Sequence, residues 1–259
     1  MFAKVGDIMF NFFAEENSRH GENYIISGSD YNHIKNVLRM NIGEKILVSE
    51  NGKSSLCEIT SFDGESATVS IVEKDYQDTS LPIKIYLFQG LPKSDKMELI
   101  IQKAVELGAD GIIPVEMNRC VVKLDDKKKK SKTSRWQAIA ESAAKQSKRT
   151  IIPEVFDVLT YKQAIEKAKE LEMFIVPYEN KDGMKATKDA LLQMKAGSTI
   201  GIFIGPEGGF EENEIELATN AGGKTVSLGK RILRTETAAI ASITMCMLYA
   251  EMNINGETE

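Results

Sequence analysis

Residues 200–204 form an unbroken apolar run that stops on Gly205-Pro206-Glu207-Gly208-Gly209. A run of that length, bounded by glycine and proline, reads as a strand buried on both faces. Pro206 has no N–H to give a sheet ladder, and the glycines carry no Cβ. The strand therefore ends there with bare backbone open to close approach by a ligand. Past Phe210, Glu211, Glu212 and Glu214 crowd the first turns of a helix. They suit the positive end of its dipole and argue against a phosphate at that helix start. Neither G-x-G-x-x-G nor G-x-x-x-x-G-K-[ST] is present, which removes the usual dinucleotide and P-loop readings. What remains is a neutral or zwitterionic ligand held by backbone groups.

Two further turns follow within thirty residues or so. Leu228-Gly229-Lys230-Arg231 comes after a short strand at 225–227, and Arg234-Thr235-Glu236-Thr237 opens a helix over 237–252. That helix is rich in small residues (Ala238, Ala239, Ala241, Ser242, Ala250) and broadly apolar, which is explained by a core position alone. Upstream, strand and helix patterns alternate. Strands are expected at 83–89, 111–116, 151–156, 173–176 and 198–204, and helices at 96–107, 134–148, 161–171 and 185–195. In the first helix Met97, Ile100, Ile101, Ala104 and Val105 make the buried stripe, and Gly108 ends it. In the second, Trp136, Ile139, Ala140, Ala143 and Ala144 form the packed face. Such alternation predicts an α/β domain over 82–255 with a mostly parallel sheet and helices on both faces. Ligands of such sheets bind at the carboxyl ends of the strands, where the loop of Pro177, Tyr178 and Glu179 also falls.

Residues 1–73 read differently. Short strands at 24–26, 45–48, 55–59 and 67–72 are separated by Asn51-Gly52 and Asp63-Gly64, which are hairpin signals. A helix over 29–39, capped by Asp30 with Ile34, Val37 and Leu38 on one face, interrupts a small barrel-like domain. The polar stretch 75–81 before Pro82 is the linker. His33 reads as a local hydrogen-bonding residue, and residues 256–259 as a frayed tail.

The 259 residues allow one large domain or two smaller ones, and a 42 per cent hydrophobic content is enough for a real core. There is no apolar run long enough to span a membrane and no signal-peptide pattern at Met1–Asp7. Cys57, Cys120 and Cys246 are odd in number and widely spaced. They fit a reducing cytoplasm, and neither a disulfide framework nor a metal site. The net charge of −5 excludes indiscriminate coating of nucleic acid. Residues 123–149, however, hold ten Lys/Arg against three Asp/Glu, the local excess a phosphate backbone would require. The Lys127–Lys130 run taken alone reads rather as a solvated loop.

IGPEGG followed by SLGKRILRTETAA, with HIKNVLRM and LPKSDKMELIIQKAVELG upstream, closely resembles the SPOUT class of knotted methyltransferases, and within it the ribosomal RNA small subunit methyltransferase E family. The resemblance implies a trefoil knot around the C-terminal loops, a fold that rules of unthreaded connection would not predict. It implies a PUA-like RNA-binding domain at 1–73 and a homodimer whose interface includes the last helix. It also implies transfer of a methyl group from S-adenosylmethionine to N3 of a uridine in 16S ribosomal RNA. The donor would rest on Val176, Pro177 and Tyr178, then on Ile204, Gly205, Pro206, Glu207, Gly208 and Gly209. The wall would continue through Ser227, Leu228, Gly229, Arg231, Ile232, Leu233 and Thr237. Arg234 is the choice for stabilising the uracil anion, because guanidinium keeps its charge, and Glu236 for orienting Arg234 or taking a proton. Arg19, Arg39, Lys93, Arg119, Lys145 and Arg149 are the RNA-contact candidates; Arg119 and Arg149 read equally as ion pairs at element ends, and Arg39 equally as a surface arginine tucked against its own barrel. The alternatives are the same chemistry on another RNA such as transfer RNA, or a non-catalytic RNA-binding assembly protein with a degenerate pocket.

Overall fold

The computed structural model describes residues 9–15, 17–178 and 183–254. The start at Met1–Asp7, Glu179 and the tail 256–259 lie outside the described residues. The chain divides into two units, one of Met1–Ser80 with Ala144–Ile151 and one of Leu81–Ala143 with Ile152–Glu259.

In the first unit, six strands are ordered β1-β4-β5-β6-β3-β2. They are β1 (Asn11–Phe13), β2 (Arg19–His20), β3 (Asn23–Ser27), β4 (Lys45–Glu50), β5 (Lys53–Phe62) and β6 (Ser66–Gln77). β1 runs parallel to β4 and the other pairs are antiparallel. Register makes the core: Ile46 lies opposite Cys57, and Val69 lies between Ile59 and Tyr24. Asn51 and Gly52 both have positive φ, 50° and 80°, the geometry that lets a two-residue turn follow the twist of its strands.

Three expectations change here. The pattern missed β1 and β2, which are too short to carry a period. β6 runs on to Gln77, into residues read as linker. The helix over 29–39 is a short α1 (Gly28–Asn32) followed by a π-helical turn, His33–Val37, in which the Leu38 N–H donates to the His33 carbonyl. The wider turn rotates Val37 out to solvent while Ile34 stays buried. Asp30 caps nothing and instead pairs with Lys145 at 2.8 Å.

The second unit holds a seven-stranded sheet, ordered β10-β8-β7-β12-β11-β13 with β9 beside β8, in which every pair is parallel. Its strands are β7 (Lys84–Gly90), β8 (Gly111–Glu116), β9 (Glu154–Val155), β10 (Leu159–Thr160), β11 (Met173–Pro177), β12 (Thr199–Ile204) and β13 (Lys224–Val226). Its helices are α2 (Lys96–Glu106), α3 (Asp126–Gln146), α4 (Tyr161–Ala168), α5 (Met184–Leu191), α6 (Glu212–Asn220) and α7 (Thr235–Asn253), the last three residues of α3 counting with the first unit. The strand period of two places helices on both faces. Phe88 and Phe203 are register partners and stack at 4.4 Å, with Tyr161 of α4 edge-on to Phe203 at 6.0 Å. Gln89, the next residue, points the other way and bonds to Thr235 of α7. Gly201 makes room for the aromatic cluster, since a Cβ there would lie 2.8 Å from the Phe174 Cβ.

The stripe of α2 is buried as its spacing requires. Helices α4 and α5 end three and four residues before the expected 171 and 195, and two boundaries differ more. The strand expected over 151–156 shrinks to β9, and Ile151 is exposed. Helix α3 starts at Asp126, eight residues earlier than expected, so the lysine run is helical and not a loop. Lysine is a good helix former, and Asp125 at the helix start accepts the Lys128 N–H at 2.8 Å.

Candidate functional site

Three parallel strands, β12, β11 and β13, end together. Ile175 lies opposite Ile202, Pro177 lies opposite Val226, and the Tyr178 N–H donates to the Val226 carbonyl at 2.9 Å. The turns that leave them therefore share the carboxyl edge of one sheet. The turn after β12 is closed by the Gly209 N–H donating to the Pro206 carbonyl at 2.9 Å, with Gly209 at φ +69°. The turn after β13 is held from α5, where the Thr187 hydroxyl donates to the Ser227 carbonyl at 2.7 Å and accepts the Ser227 N–H at 3.0 Å. Gly229, at φ +99°, donates its N–H to the Ser227 hydroxyl at 3.2 Å.

Thr235, the first residue of α7, ties the third segment to the first. Its buried hydroxyl donates to the Gly205 carbonyl at 2.7 Å and accepts from Gln89 Nε2 at 2.9 Å. Gln89 is fully buried, its Nε2 also donates to the Gly90 carbonyl, and its Oε1 has no partner among the described residues. Both Nε2 donors are thus met, and the unmet buried acceptor is a cost the site carries.

The glycine turn is gripped on two flanks. On one, Arg119 Nη1 donates to the Gly208 carbonyl at 3.0 Å, and a Cβ on Gly208 would lie 2.9 Å from the Arg119 Cβ. Asn118 reinforces that flank, donating its side-chain amide to Glu211 at 2.7 Å and its N–H to Glu214 at 3.0 Å. On the other flank the Lys93 N–H donates to both Glu207 oxygens, at 3.1 and 3.3 Å. Lys96 Nζ lies 3.1 Å from Glu207 Oε1 and 3.4 Å from Glu236 Oε2. Hydrogen bonding to Glu207, opposed by desolvation, raises the Lys96 ammonium above its usual range. Desolvation pushes the Glu207 carboxyl up, but hydrogen bonds from its own N–H, the Lys93 N–H and Lys96 outweigh it and leave the group below its ordinary value.

Glu236 thus meets Lys96 and forms no ion pair with Arg234. Arg234 caps α7 in an extended conformation, φ −66° and ψ 155°, and its exposed guanidinium has no partner among the described residues. The backbone groups of Leu228 and of residues 230–233 likewise bond to no described residue, and Ile232 is fully exposed. Thr237 lies in the first turn of α7 with an exposed side chain. Val176 is buried beneath the edge, and Tyr178 is exposed above it.

The RNA-contact candidates separate. Lys93 and Arg119 flank the glycine turn, and Arg119 is committed to Gly208. The other four belong to the first unit. Arg19 pairs with Glu50 at 2.8 Å, and Lys145 pairs with Asp30. Arg149 is buried, its carbonyl accepting from Asn11 Nδ2 at 2.9 Å. Arg39 is exposed, has no partner among the described residues, and is held at φ +56°, a conformation costly for a non-glycine residue. Sequence reasoning passed over Gln89, Thr187 and Lys96. Only Lys96 left a signal, as a cation at a helix start, where the dipole disfavours it.

An RNA methyltransferase domain model matches residues 79–247, and an RNA methyltransferase PUA domain model matches residues 26–72. The chain is 41% identical to ribosomal RNA small subunit methyltransferase E of Bacillus subtilis, over 88% of this chain and 91% of that one. It is 33% identical to the protein of the same name from Mesomycoplasma hyopneumoniae, over 92% and 99%. Among solved structures, ribosomal RNA small subunit methyltransferase E from Neisseria gonorrhoeae bound to S-adenosyl methionine superposes with a TM-score of 0.79 at 33% identity, covering 95% of this chain and 100% of that one. With its strand-end turns in place and matches spanning nearly its whole length, the chain belongs to the ribosomal RNA small subunit methyltransferase E family of RNA methyltransferases.

Proposed function

We propose that this chain methylates N3 of a uridine in 16S ribosomal RNA, using S-adenosylmethionine as donor. The observation that carries the reading is the meeting of three glycine-marked or polar turns at one sheet edge, tied by the bond from Thr235 to Gly205. The residues present suit that donor. Unbonded backbone groups at 228 and 230–233 offer polar edges for an adenine, and Val176 and Ile204 offer apolar floor. A phosphate is poorly served, because Glu207, Glu211 and Glu214 stand at the turn and the helix start. Bound there, S-adenosylmethionine supplies a methyl group made electrophilic by positively charged sulfur.

The uracil N3–H is a poor nucleophile until its proton passes to solvent; N3 then takes the methyl group, and S-adenosylhomocysteine leaves. Arg234, with its guanidinium uncommitted, stabilises the negative charge that deprotonation spreads over N3 and the flanking carbonyl oxygens. Thr235, bonded to Gly205 and to Gln89, holds the backbone on the C-terminal side of Arg234, so that charge meets a preset site. Lys93 and Arg39 contact phosphate or ribose, and the base leaves its stack to reach the site.

Residues 1–73 are the RNA-binding domain and 82–255 the methyltransferase domain, with the C-terminal loops threaded as a trefoil knot. The enzyme works in the cytoplasm as a homodimer, for which exposed Leu248 and Met252 on α7 supply apolar surface. Among the described residues no helix is long and apolar enough to cross a membrane. Incubating purified protein with methyl-labelled donor and unmodified small subunits tests the reading. Label in the ribosomal RNA is expected, and donor binding without any transfer to the subunit or its RNA would remove the substrate.

A further inference from the structure

We propose that Lys96 is a positioning residue of the donor site: its ammonium joins Glu207 of the glycine turn to Glu236 of α7 and so fixes that turn against the helix start that carries Arg234. The inference rests on the donor-binding reading above and adds a residue to it.

Lys96 opens α2, and its two carboxylates come from segments over a hundred residues away in sequence, at 3.1 and 3.4 Å. Each partner belongs to a different part of the site. Glu207 lies between Pro206 and Gly208, inside the turn, and Glu236 follows Arg234 by two residues. The Lys93 N–H donates to both oxygens of Glu207, so the segment before α2 grips the turn through backbone as well as side chain. Arg119 holds the opposite side of the same turn through Gly208.

The cluster is partly covered, and a single acid would suffice to neutralise Lys96. Two acids converging on one cation repel each other and are poorly explained as a stabilising device. They are well explained as a geometric one: Glu236 Oε2 is buried with no hydrogen bond among the described residues, so the Lys96 ammonium at 3.4 Å is the charge that offsets it, and the same cation meets Glu207 at 3.1 Å only with turn and helix start held close. The cluster keeps one net negative charge, and without Lys96 its two carboxylates would push the turn and the helix apart.

The test is calorimetric titration of S-adenosylmethionine without RNA, beside steady-state kinetics, for wild type, Lys96→Met, Lys96→Arg, Glu236→Gln and the double variant Lys96→Met/Glu236→Gln. Lys96→Met is expected to weaken donor binding about tenfold or more and to lower kcat as well, because Arg234 is displaced, with a melting temperature close to that of wild type. Lys96→Arg is expected to recover most of both, and the double variant to lose less than the sum of its parts. Unchanged donor affinity in Lys96→Met, or strictly additive losses in the double variant, would overturn the inference. If Lys96→Met does not fold, Glu236→Gln and Lys96→Arg decide: a donor affinity untouched by Glu236→Gln overturns it, and a loss there with retention in Lys96→Arg supports it. A wild-type protein that takes up no donor at all would instead overturn the proposed function.

Discussion

At the scale of single residues, Arg234 and Thr235 are neighbours with opposite tasks. Arg234 is exposed and uncommitted, whereas Thr235 is buried and bonded twice. Replacing Arg234 by Ala is expected to cost about 10²–10³ in kcat, the usual loss of one charge-stabilising donor, with donor affinity and fold retained. Single-turnover kinetics beside calorimetric titration checks this, and unchanged turnover would remove Arg234 from the mechanism. Thr235→Val keeps the shape but strands the Gly205 carbonyl and one of the two Gln89 amide donors, and should cost about 1–3 kcal/mol in urea unfolding. Glu207 adds a pH dependence. Its carboxyl sits below the ordinary 4.5, so the stability it contributes is present above that value and disappears as pH falls through its own lower one. The stability gap between wild type and Glu207→Gln should therefore be full at pH 7 and close on acidification below about 4.5, as followed by urea midpoints.

At the scale of elements, what was legible depended on periodicity. Helix α2 and strand β8 follow from spacing alone, because a stripe at 3.6 residues and a bounded apolar run each have one good burial solution. Strands β1, β2, β9 and β10 have two or three residues and no period, so pairing across the sheet defines them. The π-helical turn at His33–Val37 breaks the 3.6 period itself, and that is why Val37 was misplaced. Helix α3 shows the cost of composition-led reading, since its lysines looked like loop. The ammonium groups of Lys127 and Lys130 have no partner among the described residues and sit in its first turns, where the helix dipole disfavours cations. Lys127→Glu with Lys130→Glu should therefore stabilise the protein, by about 0.3–1 kcal/mol per site, measured by chemical unfolding. If this face meets phosphate, the same variant binds small-subunit RNA more weakly and with a shallower salt dependence.

At the scale of the whole molecule, the parallel sheet brings the site together. Residues 177, 205 and 227 are remote in sequence, and only the order β12-β11-β13 makes their loops neighbours. Alternation of strands and helices foretold a parallel sheet, but strand order is not written in any local pattern, and the convergence of the turns was foreseen only through the family's motifs. The pairing of Glu236 with Lys96 in place of Arg234 shows the same limit, because sequence proximity is a poor guide to partners where a loop turns into a helix. Methylation of the ribosomal RNA is decided by nucleoside mass spectrometry of 16S ribosomal RNA from cells with and without this protein. One N3-methyluridine is expected to be lost when the protein is absent and to return with wild type but not with Arg234→Ala. A small-subunit RNA whose methylated uridines are identical in all these cells would contradict the proposed methylation.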